Sequence, residues 1–566
     1  MNLRTLPYPK ILIAFWTAYF AVLVYRVIWW GADGLYVGHI NAYLDWGLHI
    51  GLANTYAAKS PSLWFAYHPF FADGKMTYTF LNDFISGILM RAGVPLIPAF
   101  IGPAMLEFFF LVLGIYQLFI VLRGSKARAC IGLCLFFCAA GLGFVDYFNN
   151  FFVNPKLHTL IPNVDYSRLL TYGWWTGNPI TGYFLPQRAI LLGMPLAIWA
   201  LIGFFSVLKQ PGELSPRSKG ILIASGLGAG LLPIAHMHSL IAILLIGFPV
   251  AFANYRKWKI LLYAGIPGGI LSASLYFIFI YGGIENPHFM KWNAGYVCST
   301  VIEWLGFWFS AWGLMIPAAI AGWFLVRKRV NRDTLLFLTG SFILFAIANL
   351  IQFQPTIWDN SKLFAWCYLL FSLLAAETIV MLWEKKSYLR PLSIYLFILL
   401  TLTGVIELVF LQQIRETYRL IDTEEITLAE TIRARTPPLA RFLSYRDYDD
   451  FIMVWAARPI VMGYEPWVVN DGFLCHQTEL DRGIIYHGEK QAISLLRQHN
   501  ISYVVIGPDV IKHFHPNEEF FHSHFPIVFQ SSNYRIYDVR NASGDESQHL
   551  ISTPSKAKPK KKALHR

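Results

Sequence analysis

Apolar runs of about 20 residues recur along much of the chain and are separated by shorter polar connections. A run of this length matches the α-helix that is needed to cross the hydrocarbon core of a bilayer. The pattern therefore predicts an α-helical polytopic membrane protein with about eleven spans, rather than one large soluble core. The predicted spans are residues 11–30, 96–122, 129–147, 187–208, 220–235, 239–254, 260–281, 303–326, 334–351, 363–383 and 391–411.

Basic residues are concentrated in alternate connections and predict an orientation. The positive-inside rule places short, Lys- and Arg-rich connections in the cytoplasm. The opposite connections are longer and richer in motifs, so we expect the chemistry on the extracytoplasmic side of a multi-pass protein. A bacterial inner (plasma) membrane is favoured over the endoplasmic reticulum. The basic connections include 123–128, 209–219, 256–259, 327–332 and 385–390.

This orientation requires that residues 79–93 do not cross the bilayer. The segment is short and contains Asp83 and Arg91. We expect it to form an amphipathic helix that lies in the outer interface.

The composition changes after residue 412. Residues 416–434 are charged and compatible with a helix, and short apolar runs at 451–455, 501–506, 527–529 and 534–539 follow. Apolar runs that alternate with helical stretches predict a small extracytoplasmic α/β domain. The expected divisions are 1–411 (transmembrane, including a first outer loop at 31–95), 412–540 (the α/β domain) and 541–566 (a disordered basic tail).

Only 14% of the 566 residues are charged, and the net charge of +12 is divided among the connections. This distribution bears on orientation, so nucleic acid is not expected as a partner. Membrane lipids are expected partners.

Asp45 is the candidate catalytic residue. It follows the first apolar run in the aromatic stretch YLDWGLHIGLANTYAAKSPSLWF, and a partly desolvated carboxylate can act as a base toward a hydroxyl or amine. A capping or solvating role in the loop is the alternative. His49 follows Asp45 by four residues, so on a helix the two share a face; they form either a functional pair or a local ion pair.

Other candidate substrate-binding residues lie at the outer ends of the predicted spans. Gln187 and Arg188 begin a span after Pro186, and an Arg fork suits a phosphate, although it can also reach lipid headgroups. His236 and His238 occupy an outer turn, where a phosphate contact, a metal or a purely structural turn are all open.

The turn WDNSK carries Asp359 and Lys362, which form either a headgroup pocket or membrane anchors. Asp83 completes the candidate substrate-binding set. The aromatic loop 457–473 either covers the site or packs the C-terminal region onto the membrane region.

Together these elements resemble the C-type (GT-C) glycosyltransferase superfamily. The resemblance lies in the acidic first loop (LDWGLHIGLA), in HPFFADGKMTYTFLNDFISGIL, in the PQR entry, in the WDNSK turn and in the C-terminal α/β region. It implies inverting transfer of a sugar from a polyprenyl-phosphate donor to a lipid, glycan or protein acceptor outside the cytoplasm. Asp45 then matches the catalytic acid of the first loop.

The acidic pair often seen in that superfamily is represented by Asp45 alone, flanked by Leu44 and Trp46. No cofactor is assigned, and a divalent metal stays open. The rival functions are a multi-pass transporter, which would need midplane charges and interrupted helices, and a non-catalytic membrane assembly protein.

Overall fold

A computed structural model describes residues 8–38, 43–153, 155–156, 160–175, 177–210, 212–413, 417–445 and 448–543. Helices dominate the region before residue 412. In chain order they are α1 (Tyr8–Val24), α2 (Tyr43–Ala58), α3 (Leu81–Arg91), α4 (Leu96–Arg123), α5 (Lys126–Phe137), α6 (Phe144–Val153), α7 (Arg188–Leu208), α8 (Pro216–Gly230), α9 (Leu232–Ala235), α10 (Met237–Ala253), α11 (Trp258–Leu275), α12 (Val301–Trp312), α13 (Met315–Val326), α14 (Arg332–Ala348), α15 (Ser361–Lys385) and α16 (Arg390–Leu411).

The number of helices that can cross a membrane is smaller than predicted. Within the described part of the chain, six helical segments are long and apolar enough, or seven if the bent pair α12–α13 counts as one span. The expectation of about eleven spans is therefore wrong by this criterion. Helices α1 and α10 are apolar but have only 17 residues each. The six segments are Leu96–Arg123, Arg188–Leu208, Pro216–Ala235, Tyr255–Ile280, Ile357–Lys385 and Ser387–Leu411.

Two predicted spans are broken at glycines. The span predicted at 129–147 divides into α5 and α6 around Gly141, whose φ is +69° and which lies against the Ser310 carbonyl, so that no side chain fits. The span predicted at 303–326 divides at Gly313, whose φ is +56°, and α12 and α13 meet there at 85°. Because the sequence stays apolar across both breaks, the hydropathy pattern gives no sign of them.

Helix α15 is the centre of the helical region. Its apolar window is entirely buried, and α5, α10, α13, α14 and α16 pack against it. A helix that is apolar on all sides belongs in the interior of a bundle. The first turn of α15, which carries Lys362, is therefore held on a rigid element.

The predicted interfacial helix at 79–93 forms as α3, but its polar face points into the protein. Asn82, Asp83, Ser86 and Gly87 are buried, and α3 packs against α2, α4 and α7. The polar groups of α3 are satisfied by partners on α2, α4 and α7, so its polar face meets protein rather than water, and its position in the outer interface stays a prediction.

A small sheet joins the first outer loop to the C-terminal region. Strands β1 (Ile28–Trp30) and β2 (Gly34–Gly38) form an antiparallel pair, and β2 also pairs antiparallel with β5 (Thr417–Asp422). The segment 417–422, expected to be helical, is thus a strand. A two-stranded pair, β3 (Lys291–Trp292) with β4 (Ile351–Gln352), joins the connection before α12 to the connection before α15.

The C-terminal region contains a four-stranded mixed sheet in the order β6-β7-β9-β8. The run predicted at 451–455 is a short helix instead of a strand, because Asp450 caps the backbone N–H of Ile452 there. The elements are β6 (Phe442–Leu443), β7 (Tyr503–Ile506), β8 (Ile527–Gln530), β9 (Arg535–Asp538), α17 (Thr423–Arg435), α18 (Phe451–Val454), α19 (Glu465–Asn470), α20 (His476–Tyr486), α21 (Ala492–Gln498), α22 (Pro508–Phe514), α23 (Glu518–His524) and α24 (Arg540–Ser543).

The C-terminal region shares a core with the helical region. Phe451, Ile452 and Met453 belong to the same apolar cluster as the membrane helices, whereas Val504 and Tyr537 belong to a second cluster around the C-terminal sheet. The predicted disordered tail at 541–566 lies outside the described residues, apart from 541–543 at the end of α24.

Candidate active site

A cavity of about 820 Å³ lies among the start of α2, the α9–α10 turn, the start of α15 and the C-terminal segment 464–471. Seven of the nine predicted site residues line it, so side chains from distant parts of the sequence converge. These residues are Asp45, His49, Gln187, His236, His238, Asp359 and Lys362.

Asp45 and His49 are placed by the first two turns of α2. Because the segment is helical, their spacing of four residues brings both side chains to the same wall of the cavity. Burial raises the pKa of the Asp45 carboxyl to about 6, while His49 and Lys362 draw it down and Asp359 adds to the rise. A carboxyl with this pKa can exchange a proton near neutral pH.

His49 is buried, and both of its ring nitrogens face oxygen acceptors. Its Nδ1 donates to Asp83 Oδ2 at 2.9 Å, and its Nε2 lies 3.4 Å from the carbonyl of Pro186. The Asp83 carboxylate thus orients the imidazole from behind the cavity wall. This is a positioning contact, since Asp83 itself does not line the cavity.

Asp359 and Lys362 form an ion pair at the entry to α15. The second carboxylate oxygen of Asp359 accepts a hydrogen bond from Asn470 Nδ2 at 2.8 Å. Asn470 belongs to the C-terminal region, so this contact fixes the loop 457–473 against the cavity. The sequence left open whether this loop covers the site or packs the C-terminal region onto the helices. In the structure it does both: its side chains line the cavity, and it contacts the helical region.

Polar atoms in the cavity wall lack protein partners. Gln187 Oε1, His236 Nε2 and His238 Nε2 form no hydrogen bond within the part of the chain that the structure describes. His236 Nδ1 lies 2.7 Å from the hydroxyl of Ser239, which also accepts a hydrogen bond from Trp366. The His236 ring is thereby fixed, with its other nitrogen available to a ligand.

Arg188 does not reach the cavity. It is 3% exposed, and its Nε donates to Asp83 Oδ1 at 2.9 Å while its Nη2 donates to Asn82 Oδ1 and to Ser86 Oγ. The expected phosphate contact of Arg188 is not supported by this placement, because the guanidinium is engaged by α3. The start of α7, where a surface group was expected, lies against the polar face of α3.

The sequence reasoning missed several cavity residues. Asp471 lies in the wall, and its Oδ2 is 3.1 Å from Nε2 of the buried His68. Burial raises the pKa of the Asp471 carboxyl, and His68 opposes this rise. Arg168, Tyr464 and Trp467 also line the cavity. Their only sequence signal was their presence in turn-rich aromatic loops on the predicted outer side.

One side of the cavity is apolar. Ile241, Tyr276, Ile280, Ile284 and Met290 line it, and Tyr276 and Ile280 follow the end of α11. Only 11% of the apolar window of this helix is buried inside the protein, so the helix is peripheral. The cavity therefore extends from a charged end to a peripheral, apolar helix.

The side chains in the described ranges do not fit a metal site. No group of three or more His, Cys, Asp or Glu side chains is arranged to hold a metal ion within the part of the chain that the structure describes. The Asp359 carboxylate is engaged by Lys362 and Asn470.

Comparison with solved structures identifies the architecture. The apo crystal structure of the oligosaccharyltransferase from Archaeoglobus fulgidus aligns with a TM-score of 0.56 at 10% identity, over 90% of this chain and 71% of that chain. The archaeal oligosaccharyltransferase AglB from the same organism, in complex with an inhibitory peptide and a dolichol-phosphate, aligns with a TM-score of 0.52 at 10% identity, over 89% and 70%. The chain has a GT-C-like fold.

The GT-C resemblance expected from the sequence is thus confirmed at the level of the fold. ArnT from Cupriavidus metallidurans bound to undecaprenyl phosphate aligns with a TM-score of 0.49 at 8% identity, over 94% of this chain and 97% of that chain, and this weaker likeness supports no argument. No protein-family model matches the sequence, and no curated protein sequence does. Residue roles in this GT-C-like fold therefore rest on the cavity itself.

Proposed function

We propose that this GT-C-like protein is an integral membrane glycosyltransferase that moves a sugar from a polyprenyl-phosphate-linked donor to an acceptor. The observation that carries the proposal is the cavity, which places the Asp45 carboxylate near the Lys362 ammonium and continues into an apolar wall. A lipid-linked sugar has the same sequence of parts: a polar sugar, a charged phosphate and a long apolar chain.

The apolar side supports a lipid donor over a soluble one. Tyr276 and Ile280 line the cavity at the end of a helix whose other residues, such as Phe277 and Ile278, are exposed. A lipid chain could pass from the cavity along this helix into the bilayer.

The charged side supports a transfer reaction. Asp45 takes the proton from the acceptor hydroxyl or amine, and the acceptor atom attacks the anomeric carbon of the sugar. The bond from that carbon to the phosphate oxygen breaks, and the phosphate leaves with the electron pair. Lys362 stabilises the developing negative charge. Attack from the side opposite the phosphate gives the inverted product.

The charge distribution supports an extracytoplasmic cavity. The basic connections expected in the cytoplasm lie at the other ends of the spans that lead to the cavity; for example, α15 ends at Lys385, which Lys386 follows, opposite Lys362. We therefore place the cavity and the C-terminal region outside the cytoplasm.

Replacement of Lys362 by Met is expected to weaken binding of a polyprenyl phosphate by about tenfold or more, because a charge-assisted hydrogen bond contributes about 1.5–3 kcal/mol. Lys362→Arg should retain most of the affinity, since it keeps the charge. The measurement is lipid binding to purified variants in detergent. Lys291→Met is the matched control, because Lys291 is exposed and does not line the cavity. Wild-type affinity in Lys362→Met would remove Lys362 from the donor site.

The transfer rate is expected to depend on the protonation of Asp45. The base is the carboxylate anion, whose fraction grows as pH rises through the pKa of about 6 of Asp45. We therefore expect kcat/KM to increase with pH through about 6 and to level off above about 7. A pH–rate profile on wild type and on the residual activity of Asp45→Asn tests this. An inflection that persists in the variant would assign the titration to another group.

A further inference from the structure

A second cavity lies at the opposite end of the helices that lead to the first. It has a volume of about 940 Å³ and is lined by the start of α8, the connection before α11 and the start of α11. The segment Pro216–Ala235 has 20 residues, which as a helix span about 30 Å. The residues after its end, His236 and His238, line the first cavity. The two cavities are therefore at opposite faces of the bilayer, whichever way the protein is oriented.

The second cavity is strongly basic. Lys219, Arg256, Lys257 and Lys259 line it, whereas Glu213 is its one acidic residue. None of the four cations forms an ion pair with a described carboxylate. Their contacts in the described part of the chain are with neutral groups: the Leu208 carbonyl for Lys257, the Tyr255 hydroxyl for Arg256, and the Tyr263 and Trp258 rings for Lys219 and Lys259.

The floor of this cavity is apolar. Ile260, Leu262, Ile266 and Pro267 of α11 and Ile223 of α8 line it. Ile266 and Leu262 are exposed, because no residue in the described part of the chain covers them. An anion that occupies the basic end can therefore carry apolar chains along α11.

A purely orienting role for these cations does not account for the cavity. Loops that orient a membrane protein need only positive charge near the bilayer surface. The segment Arg327–Arg329 on the same face is equally basic, yet it lines neither cavity. At the α8–α11 site the cations lie beside a cavity with an apolar floor, which an orienting role alone does not require.

We propose that the second cavity binds an anionic phospholipid of the leaflet opposite the Asp45 cavity. The phosphate and headgroup lie among Lys219, Arg256, Lys257 and Lys259, and the acyl chains lie against Ile266 and the exposed face of α11. The interaction requires no bond to form or break. It is independent of the proposed transfer reaction, since neither its residues nor its face of the membrane are shared with the first cavity.

The test compares two full-length variants that each lose four positive charges. The cavity variant carries Lys219→Gln, Arg256→Gln, Lys257→Gln and Lys259→Gln; the control carries Arg327→Gln, Lys328→Gln, Arg329→Gln and Lys386→Gln. Delipidated protein is titrated with phosphatidylglycerol or phosphatidylcholine, and bound lipid is counted by native mass spectrometry. We expect affinity for phosphatidylglycerol to fall about tenfold or more in the cavity variant and to change less than about twofold in the control.

Equal losses in both variants, or no loss in the cavity variant, would overturn the proposal. Inorganic phosphate is added in a separate arm: retention of phosphatidylglycerol in millimolar phosphate supports a lipid ligand, and full displacement would assign the site to free phosphate instead. If the cavity variant fails to fold, wild type is labelled with a photoreactive phosphatidylglycerol. Labelling within residues 255–267 supports the site, and labelling confined to other helices contradicts it.

Discussion

Asp45→Asn is expected to lower the rate of sugar transfer by about 10²–10⁴-fold, the usual cost of losing a general base. Asn keeps the size and most of the hydrogen bonding of Asp but cannot take a proton from the acceptor. Because the substitution leaves the Lys362 ammonium and the apolar wall of the cavity in place, the variant should still bind the donor lipid. The measurement is a transfer assay on purified variant, with donor binding and thermal stability measured on the same sample.

Asp33→Asn is the control for this experiment. Asp33 is an exposed carboxylate of the same outer loop that pairs with Arg419 and does not line the cavity. Its variant should transfer at the wild-type rate. Near-normal transfer by a folded Asp45→Asn protein would remove Asp45 from the reaction and direct attention to Asp359 and Asp471, which are the other carboxylates of the cavity wall.

Arg188→Met is expected to destabilise the fold by about 3–5 kcal/mol, because it leaves a buried charge without its partner. Asp83 is 1% exposed, and Arg188 donates to it and to Asn82 and Ser86 on the same helix. The loss should be seen as a lower thermal midpoint in detergent. Arg327→Met, which removes an exposed arginine, should leave the midpoint nearly unchanged.

A double variant separates the ion pair from a packing effect. In Asp83→Asn/Arg188→Met neither member of the ion pair is left charged without the other, so its loss of stability should be smaller than the sum of the two single losses. A stable Arg188→Met protein that no longer binds the donor would restore the phosphate role suggested by its sequence position.

The sequence was sufficient to predict cavity residues where the signal lies within a few positions of the residue. Asp45 and His49 could be paired in advance, because a spacing of four residues sets them on one face of any helix. The positions of His236, His238 and Lys362 followed from their place at the ends of apolar runs. All of these residues line the cavity.

The sequence was insufficient where a partner lies far along the chain. The sequence around Arg188, at the start of an apolar run, does not show whether its guanidinium contacts a lipid phosphate or the buried Asp83 on α3. The polar face of α3 suits an interface or an interior equally well, and only tertiary packing decides between them. Pairing of β2 with β5, and the contact of Asn470 with Asp359, likewise join segments whose composition gives no sign of the other.

The most direct test of the proposed function is a cryo-electron microscopy structure of the protein in nanodiscs with a polyprenyl phosphate. We predict the lipid phosphate about 3 Å from the Lys362 ammonium, with the chain against Tyr276 and Ile280 and Asp45 facing the space left for the sugar. A phosphate bound elsewhere, or an empty cavity at saturating lipid, would contradict the proposed glycosyltransferase.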